Sequence, residues 1–256
     1  MPDLNICVAG VTGWTGAAVA EAVARAGDLT LRSGVSRSAA GTEVAGAPVY
    51  ATIPEALEGV DVMVDFTSHD VAKTNALTAI ERGVAVVIGT SGLTAADFEE
   101  IDAAAGAAGV GAISAGNFSV TAAMAKAAAM LASRFIPTWE VIDYASAGKA
   151  DAPSGTAREL AETLGAAARE RTLEDTHGAV EARGAEIAGT QVHSVRLPSF
   201  TVSTEIVFAA PDERLSIRHD AGSSAAPYVA GTLLAIRAAP GRSGLTRGLD
   251  ALLLAD

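Results

Sequence analysis

Aromatic side chains make up only 4% of this 256-residue chain, and cysteine occurs once, at Cys7. A single cysteine can form no internal disulfide. Its place inside the first apolar run marks it as a small core residue, in keeping with a reducing compartment. Scarce aromatics beside 26 glycines and 50% hydrophobic residues argue against an aromatic-rich β-sandwich and for helices packed closely on a sheet. Positive charge is short as well: 18 Lys and Arg stand against 30 Asp and Glu, a formal net charge of −12. With no basic patch, neither a nucleic-acid nor an anionic-membrane partner is expected, although a locally basic pocket for an acidic substrate is compatible with that balance. Long hydrophobic runs are missing too, because Lys126 and Arg134 interrupt the most apolar later stretch before it could span a bilayer. The first strand pattern is under way by Leu4 with no basic leader before it, so a soluble, cytoplasmic protein is expected. His69, His177, His193 and His219 have no metal-ligand spacing, and no metal site is expected. Internal repeats and low-complexity linkers are absent.

What is present is a regular alternation. Leu4-Asn5-Ile6-Cys7-Val8-Ala9 reads as a buried strand, followed by an alanine-rich helix over about 13–26 and a second strand over 29–35. Apolar runs at 60–66, 84–88 and 109–112 are each followed by helical patterns, near 69–82, 95–107 and 121–133. Strands alternating with helices imply an α/β fold with a Rossmann-like, doubly wound parallel sheet. From Trp139 the pattern changes. Residues 141–145, 190–197, 200–209 and 214–219 read as longer strands with partial alternation, which implies a smaller α+β domain with a mixed sheet. Residues 169–188 are charged and glycine-containing, as in an exposed loop or crossover. The tail, 227–238 and 245–254, returns to helical spacing. The expected division is a dinucleotide-binding domain over 1–120 with a C-terminal return over 220–256, and a substrate-binding and oligomerisation domain over 121–219.

Gly10, Gly13 and Gly16 lie between the first strand and its helix. Glycines there permit a tight turn and let backbone N–H groups approach a pyrophosphate at the helix start. The second strand ends in Ser36-Arg37, roughly 20 residues further on, where an NAD-preferring site would place an acid for the ribose hydroxyl. Serine does not repel a 2′-phosphate and arginine can pair with one, so NADPH is the expected cofactor, with NADH possible. Phe66-Thr67 and Gly89-Thr90-Ser91-Gly92 follow the third and fourth strands, at the strand ends where open sheets bind ligands.

A second constellation sits in Lys149-Ala150-Asp151-Ala152-Pro153-Ser154-Gly155-Thr156-Ala157. Pro153 ends an extended stretch and Ser154-Gly155-Thr156 opens a helical pattern. Hydroxyls and free N–H groups there, with Lys149 upstream, suit capture of a carboxylate or phosphate.

This segment resembles the substrate-binding motif of the dihydrodipicolinate reductase family. In the same order along nearly the whole chain, Gly10-Val11-Thr12-Gly13-Trp14-Thr15-Gly16 resembles that family's nucleotide loop. Asp65-Phe66-Thr67, Val87-Ile88-Gly89-Thr90-Ser91-Gly92 and Ala115-Gly116-Asn117-Phe118-Ser119 resemble its later cofactor and hinge segments. The resemblance implies hydride reduction of a cyclic dicarboxylate imine with a nicotinamide cofactor in lysine and diaminopimelate biosynthesis, and a homotetramer. It places Phe66, Thr67, Gly89, Thr90 and Ser91 along the nicotinamide and its ribose, with Ala115, Asn117 and Phe118 closing over them. It casts Ser154, Gly155 and Thr156 as substrate-binding and Lys149 as catalytic, able to donate a proton or to bind a carboxylate.

Three departures accompany it. The family carries a histidine-rich run before the lysine, one histidine being its proton donor, where this chain has Ala145-Ser146-Ala147-Gly148. Its glycine-rich loop ending in Gly-Glu-His is replaced by residues 196–204. A basic residue expected after His219 is missing from Ala221-Gly222-Ser223-Ser224-Ala225-Ala226. Tyr144 and Ser146 are nearby proton donors, although 144 points away from the side of 145. His193 and Arg196 flank a strand of the second sheet and read as exposed or interface residues. The departures imply a divergent reductase with a changed acceptor. The alternatives are the family's own lysine-pathway reaction with a substituted donor, and a regulator that binds NADPH without catalysis.

Overall fold

A computed structural model describes residues 3–167 and 177–254. In chain order the first elements are β1 (Leu4–Ala9), α1 (Trp14–Arg25), β2 (Leu29–Val35), β3 (Glu43–Val44), β4 (Ala47–Tyr50), α2 (Ile53–Ala56), β5 (Val62–Asp65), α3 (His69–Ile80), β6 (Ala85–Ile88), α4 (Ala95–Ala108) and β7 (Gly111–Ser114). Then follow α5 (Val120–Ser133), β8 (Trp139–Ala145), α6 (Gly155–Ala167), β9 (Ala185–Ile187), β10 (Thr190–Arg196), β11 (Val202–Ala210) and β12 (Glu213–Ala221). The chain closes with α7 (Ala226–Ala238), β13 (Gly244–Arg247) and α8 (Asp250–Leu253). It divides into two compact units, residues 1–120 with 225–256, and residues 121–224. The return thus starts at Ala225 and not at 220, because β12 carries its ladder through Asp220 and Ala221.

The first unit holds an eight-stranded sheet in the order β13-β7-β6-β5-β1-β2-β4-β3, parallel except where β3 turns back on β4. Central strands are apolar on both faces because helices cover both. In β5, β6 and β7 every residue is buried. From β1 the order runs one way through β2 and the other way through β5, so the crevice beside β1 is the switch point where open sheets take ligands. Local signals set the helix ends. Thr94 caps α4 by accepting from the Asp97 N–H while Asp97 accepts from the Thr94 N–H, and Gly109 ends that helix at φ 67°. These hydrogen bonds, with Lys73 beside them, hold the Asp97 carboxyl down at about 2.

The second unit is a five-stranded mixed sheet, β12-β11-β8-β10-β9, with β8 and β10 parallel and the other pairs antiparallel. Strict alternation along β8 turns Trp139, Val141, Asp143 and Ala145 to the buried face. Trp139, Val141, Val192, Ile206 and Phe208 pack there against Ala157, Leu160, Ala161 and Leu164 of α6.

Several expectations need correction. Residues 245–254 are not one helix. Gly244 (φ 78°) and Gly248 (φ 87°) break it on both sides, and the residues between them pair as β13 with β7. The strand expected at 109–112 begins at Gly111 because Gly109 still belongs to the end of α4. Of the stretch read as exposed loop, residues 169–176 lie outside the described residues, and 177–188 contain a 3-10 turn (Val180–Arg183) and the edge strand β9. The short elements β3, β4 and α2 were not anticipated. Among the described residues no helix is long and apolar enough to cross a membrane.

Candidate functional site

In the first unit, β1 ends in Gly10 at φ 78°, a left-handed conformation that only glycine takes without strain. A Cβ on Gly10 would run into the Phe66 carbonyl, and one on Gly16 into the Gly10 carbonyl. At those two positions the loop lies against its neighbours with no room for a side chain. Gly13 is the N-cap of α1 and brings no capping side chain, which leaves first-turn N–H groups for a ligand.

Beside this loop opens a cleft of about 330 Å³. Trp14 and Thr15 line it from α1, Phe66, Thr67, Ser68 and His69 from the end of β5, and Gly89, Thr90 and Ser91 from the end of β6. Seven of these were expected from the sequence, whereas Ser68 and His69 were not. Phe118, buried, meets Phe66 edge to face with ring centroids 6.1 Å apart, and a Cβ on Gly89 would strike the Phe66 ring. Ala115 is buried as well, while the Asn117 side chain accepts the Ser119 N–H at 2.8 Å. These three do not line the cleft.

Asp65, fully buried at the last position of β5, organises the cleft wall. Its Oδ1 accepts from the Thr67 N–H (2.9 Å), the Thr67 hydroxyl (2.7 Å) and the Thr90 hydroxyl (2.7 Å), and its Oδ2 accepts from the Asn75 amide (2.8 Å). A buried carboxylate needs such donors to offset the loss of water. In the sequence Asp65 stands only as the first residue of Asp65-Phe66-Thr67, with no role of its own. Its signal was an acid closing an apolar strand and followed by threonine.

At the end of β2, the Ser36 hydroxyl shares hydrogen bonds with Thr12 (2.9 Å) and Ser38 (3.3 Å), while Arg37 is exposed and has no carboxylate partner among the described residues. The arrangement offers hydroxyls and a free guanidinium to an anion, and no acid to repel it.

In the second unit, Lys149 lies in the turn after β8, its ammonium 2.8 Å from Asp151. Asp143, with a fully buried carboxylate, accepts from the Ser154 N–H (2.8 Å) and the Ser154 hydroxyl (2.7 Å). The Ser154 hydroxyl also accepts the Ala157 N–H, so Ser154 is committed to anchoring α6. Ser154 is 2% exposed at the head of that helix. Nor is Arg196 an exposed residue: its guanidinium reaches Asp143 at 2.8 Å and the Asp151 carbonyl at 2.7 Å.

The remaining polar groups near these strands lie elsewhere. Tyr144 lies on the opposite face of β8, donates to Glu205 at 3.3 Å and stacks on Phe200, and burial with that carboxylate beside it pushes the phenol up. His193 pairs with Glu140 on that face, and burial holds His219 below the ordinary histidine range beside Thr121. Ser146 is exposed. Among the described residues no three His, Cys, Asp or Glu side chains are grouped to hold a metal.

Comparison with known proteins gives a consistent result over the whole chain. Residues 4–118 match the family model for the N-terminus of dihydrodipicolinate reductase, and residues 117–253 that for its C-terminus. A 4-hydroxy-tetrahydrodipicolinate reductase of Streptococcus suis is 36% identical over 255 residues, covering 98% of this chain and 99% of the relative. That of Moorella thermoacetica is 36% identical over 262 residues, with 98% of each covered. A solved dipicolinate-bound dihydrodipicolinate reductase from Paenisporosarcina sp. TG-14 superposes with a TM-score of 0.80 at 24% identity, covering 97% of this chain and 99% of that one.

Proposed function

The chain belongs to the dihydrodipicolinate reductase family, NAD(P)H-dependent oxidoreductases, and we propose that it reduces the cyclic dicarboxylate imine of lysine biosynthesis with NADPH. The observation that carries this reading is the Lys149–Asp151 pair in a turn fixed to Asp143, Arg196 and the start of α6, on a chain that matches the family end to end.

The residues at the end of β1 and at the crevice beside it fit a dinucleotide. Gly10, Gly13 and Gly16 leave three points of the loop without a Cβ, and the first-turn N–H groups with Trp14 and Thr15 would take the pyrophosphate. Ser36 and Arg37 would hold the 2′-phosphate. Phe66, Thr67, Gly89, Thr90 and Ser91 would enclose the nicotinamide end, with Ala115, Asn117 and Phe118 behind. The bound cofactor supplies the hydride. This chain supplies the rest. Gly155 and Thr156 hold a substrate carboxylate at the start of α6, and Lys149 gives the proton that the imine nitrogen takes up when its carbon is reduced. The Asp151 carboxylate keeps that ammonium in place.

A second reading, a changed acceptor, is favoured by Ala145-Ser146-Ala147-Gly148, which lacks a histidine before Lys149, and by residues 221–226, which lack a basic residue after His219. A panel of cyclic imines and unsaturated carboxylates, followed by NADPH consumption, separates the two. The first reading expects dihydrodipicolinate to be turned over fastest, the second some smaller or less charged acceptor. NADPH binding with no acceptor reduced would leave a regulator.

Arg37→Ala is expected to weaken NADPH by about 10–100-fold and to leave NADH unchanged, since an arginine–phosphate pair contributes roughly 1.5–3 kcal/mol. Titration of both cofactors checks this, and equal effects on the two would remove Arg37 from the phosphate site. The face of the second sheet opposite α6 presents Ile142, Val195 and Val207, half-buried, and four copies are expected to assemble through it. Light scattering at micromolar concentration should give four chains, and a monomer would end that expectation.

A further inference from the structure

We propose that Arg196 is the positioning residue for Lys149, acting through Asp143 and the Asp151 main chain. The proposal rests on the reading of Lys149 as the proton donor.

The segment from Lys149 to Thr156 has no regular structure before α6 begins at Gly155. Its geometry is fixed from outside, at two points. At one end Asp143 accepts from both the N–H and the hydroxyl of Ser154. At the other, Arg196 Nη2 donates to the Asp151 carbonyl oxygen at 2.7 Å. One guanidinium joins the two anchors, because the same Nη2 donates to Asp143 Oδ2 at 2.8 Å while Nη1 donates to the Asp143 and Val195 carbonyls at 3.2 and 3.1 Å. The Ser194 hydroxyl adds a further donor to Asp143, at 3.3 Å. Asp151, with its main chain held, turns its carboxylate to the Lys149 ammonium at 2.8 Å.

Arginine suits this task and lysine does not. A planar fork sends donors in several fixed directions at once, whereas an ammonium is a single point charge on a flexible stem. Stability alone gives a poor account of the pair. The Arg196 side chain is 16% exposed and that of Asp143 is fully buried, so both give up hydration, and a buried Arg196 Nε makes no hydrogen bond among the described residues. Apolar residues of similar size could fill this space without those penalties. They could not hold a carbonyl on one side and a carboxylate on the other.

The test is a double-mutant cycle in the whole protein, read as kcat, KM for the acceptor and the dissociation constant for NADPH. Arg196→Met is expected to lower kcat by about 100-fold, as misplacement of a catalytic group does, with NADPH binding unchanged. Arg196→Lys keeps the charge against Asp143 but reaches fewer anchors, and it should recover part of that loss. On a Lys149→Ala background neither substitution should lower kcat further, because the group being positioned is gone. If Arg196→Met fails to fold, Arg196→Lys decides: about a tenfold loss that vanishes on the Lys149→Ala background supports the proposal. Parental kcat in Arg196→Lys, or losses that multiply with those of Lys149→Ala, would overturn it. Should Lys149→Ala itself leave turnover intact, the proton-donor reading fails, whichever way Arg196 behaves.

Discussion

Lys149→Ala is expected to lower kcat by about 10²–10⁴-fold while NADPH binds as before, the range that a positioned general acid contributes. Reduction of an imine carbon leaves a nitrogen that must be protonated as the hydride arrives. The chain has no histidine at 145–148, Tyr144 is turned to the other face and committed to Glu205, and Lys149 is the one cation in the turn after β8. A lysine that merely steered the substrate by charge would behave differently. Its removal would raise KM and leave kcat nearly intact. Steady-state kinetics with a parallel NADPH titration therefore separates the two roles. Unchanged kinetics in Lys149→Ala would show that the turn after β8 is the wrong place for the chemistry.

The second large effect is expected at Asp65. Asp65→Ala should destabilise the protein by about 3 kcal/mol, since it leaves the Thr67 N–H and hydroxyl, the Thr90 hydroxyl and the Asn75 amide without their acceptor at a buried point. It should also weaken NADPH at least about tenfold, because Thr67 and Thr90 line the cleft and take their orientation from that carboxylate. Denaturant unfolding and a cofactor titration read the two consequences separately. A variant as stable as the parent would mean that the four donors find other acceptors, and the cleft wall would not be organised as described.

The two acids that organise the sites were the least legible residues in the sequence. Asp65 and Asp143 each close or interrupt a strand, and beyond the threonine that follows Asp65 nothing local distinguishes a carboxylate that faces water from one that gathers donors across a sheet. The bonds of Ser154 were hidden for the same reason, because its partner lies eleven residues upstream on β8. The strands and helices of the first unit were legible through their alternation and through Gly10, which must end β1, whereas Gly109 reads as part of the strand after α4 and in fact ends that helix. The second sheet showed through the alternation of β8. The tail deceived because the leucines of 245–254 keep helical spacing while Gly244 and Gly248 cut it, and only the neighbouring β7 makes the segment between them a strand. Arg196 drew notice as a cation beside a strand, yet its burial and its bond to the Asp151 carbonyl could be seen only in three dimensions.

The account is tested most directly by supplying dihydrodipicolinate with NADPH deuterated at the transferring position and examining the product. The expected result is a reduced ring carrying one deuterium, formed with one NADP⁺ per product, by the parental protein and far more slowly by Lys149→Ala. Tight NADPH binding with no deuterium transferred to that acceptor would contradict it.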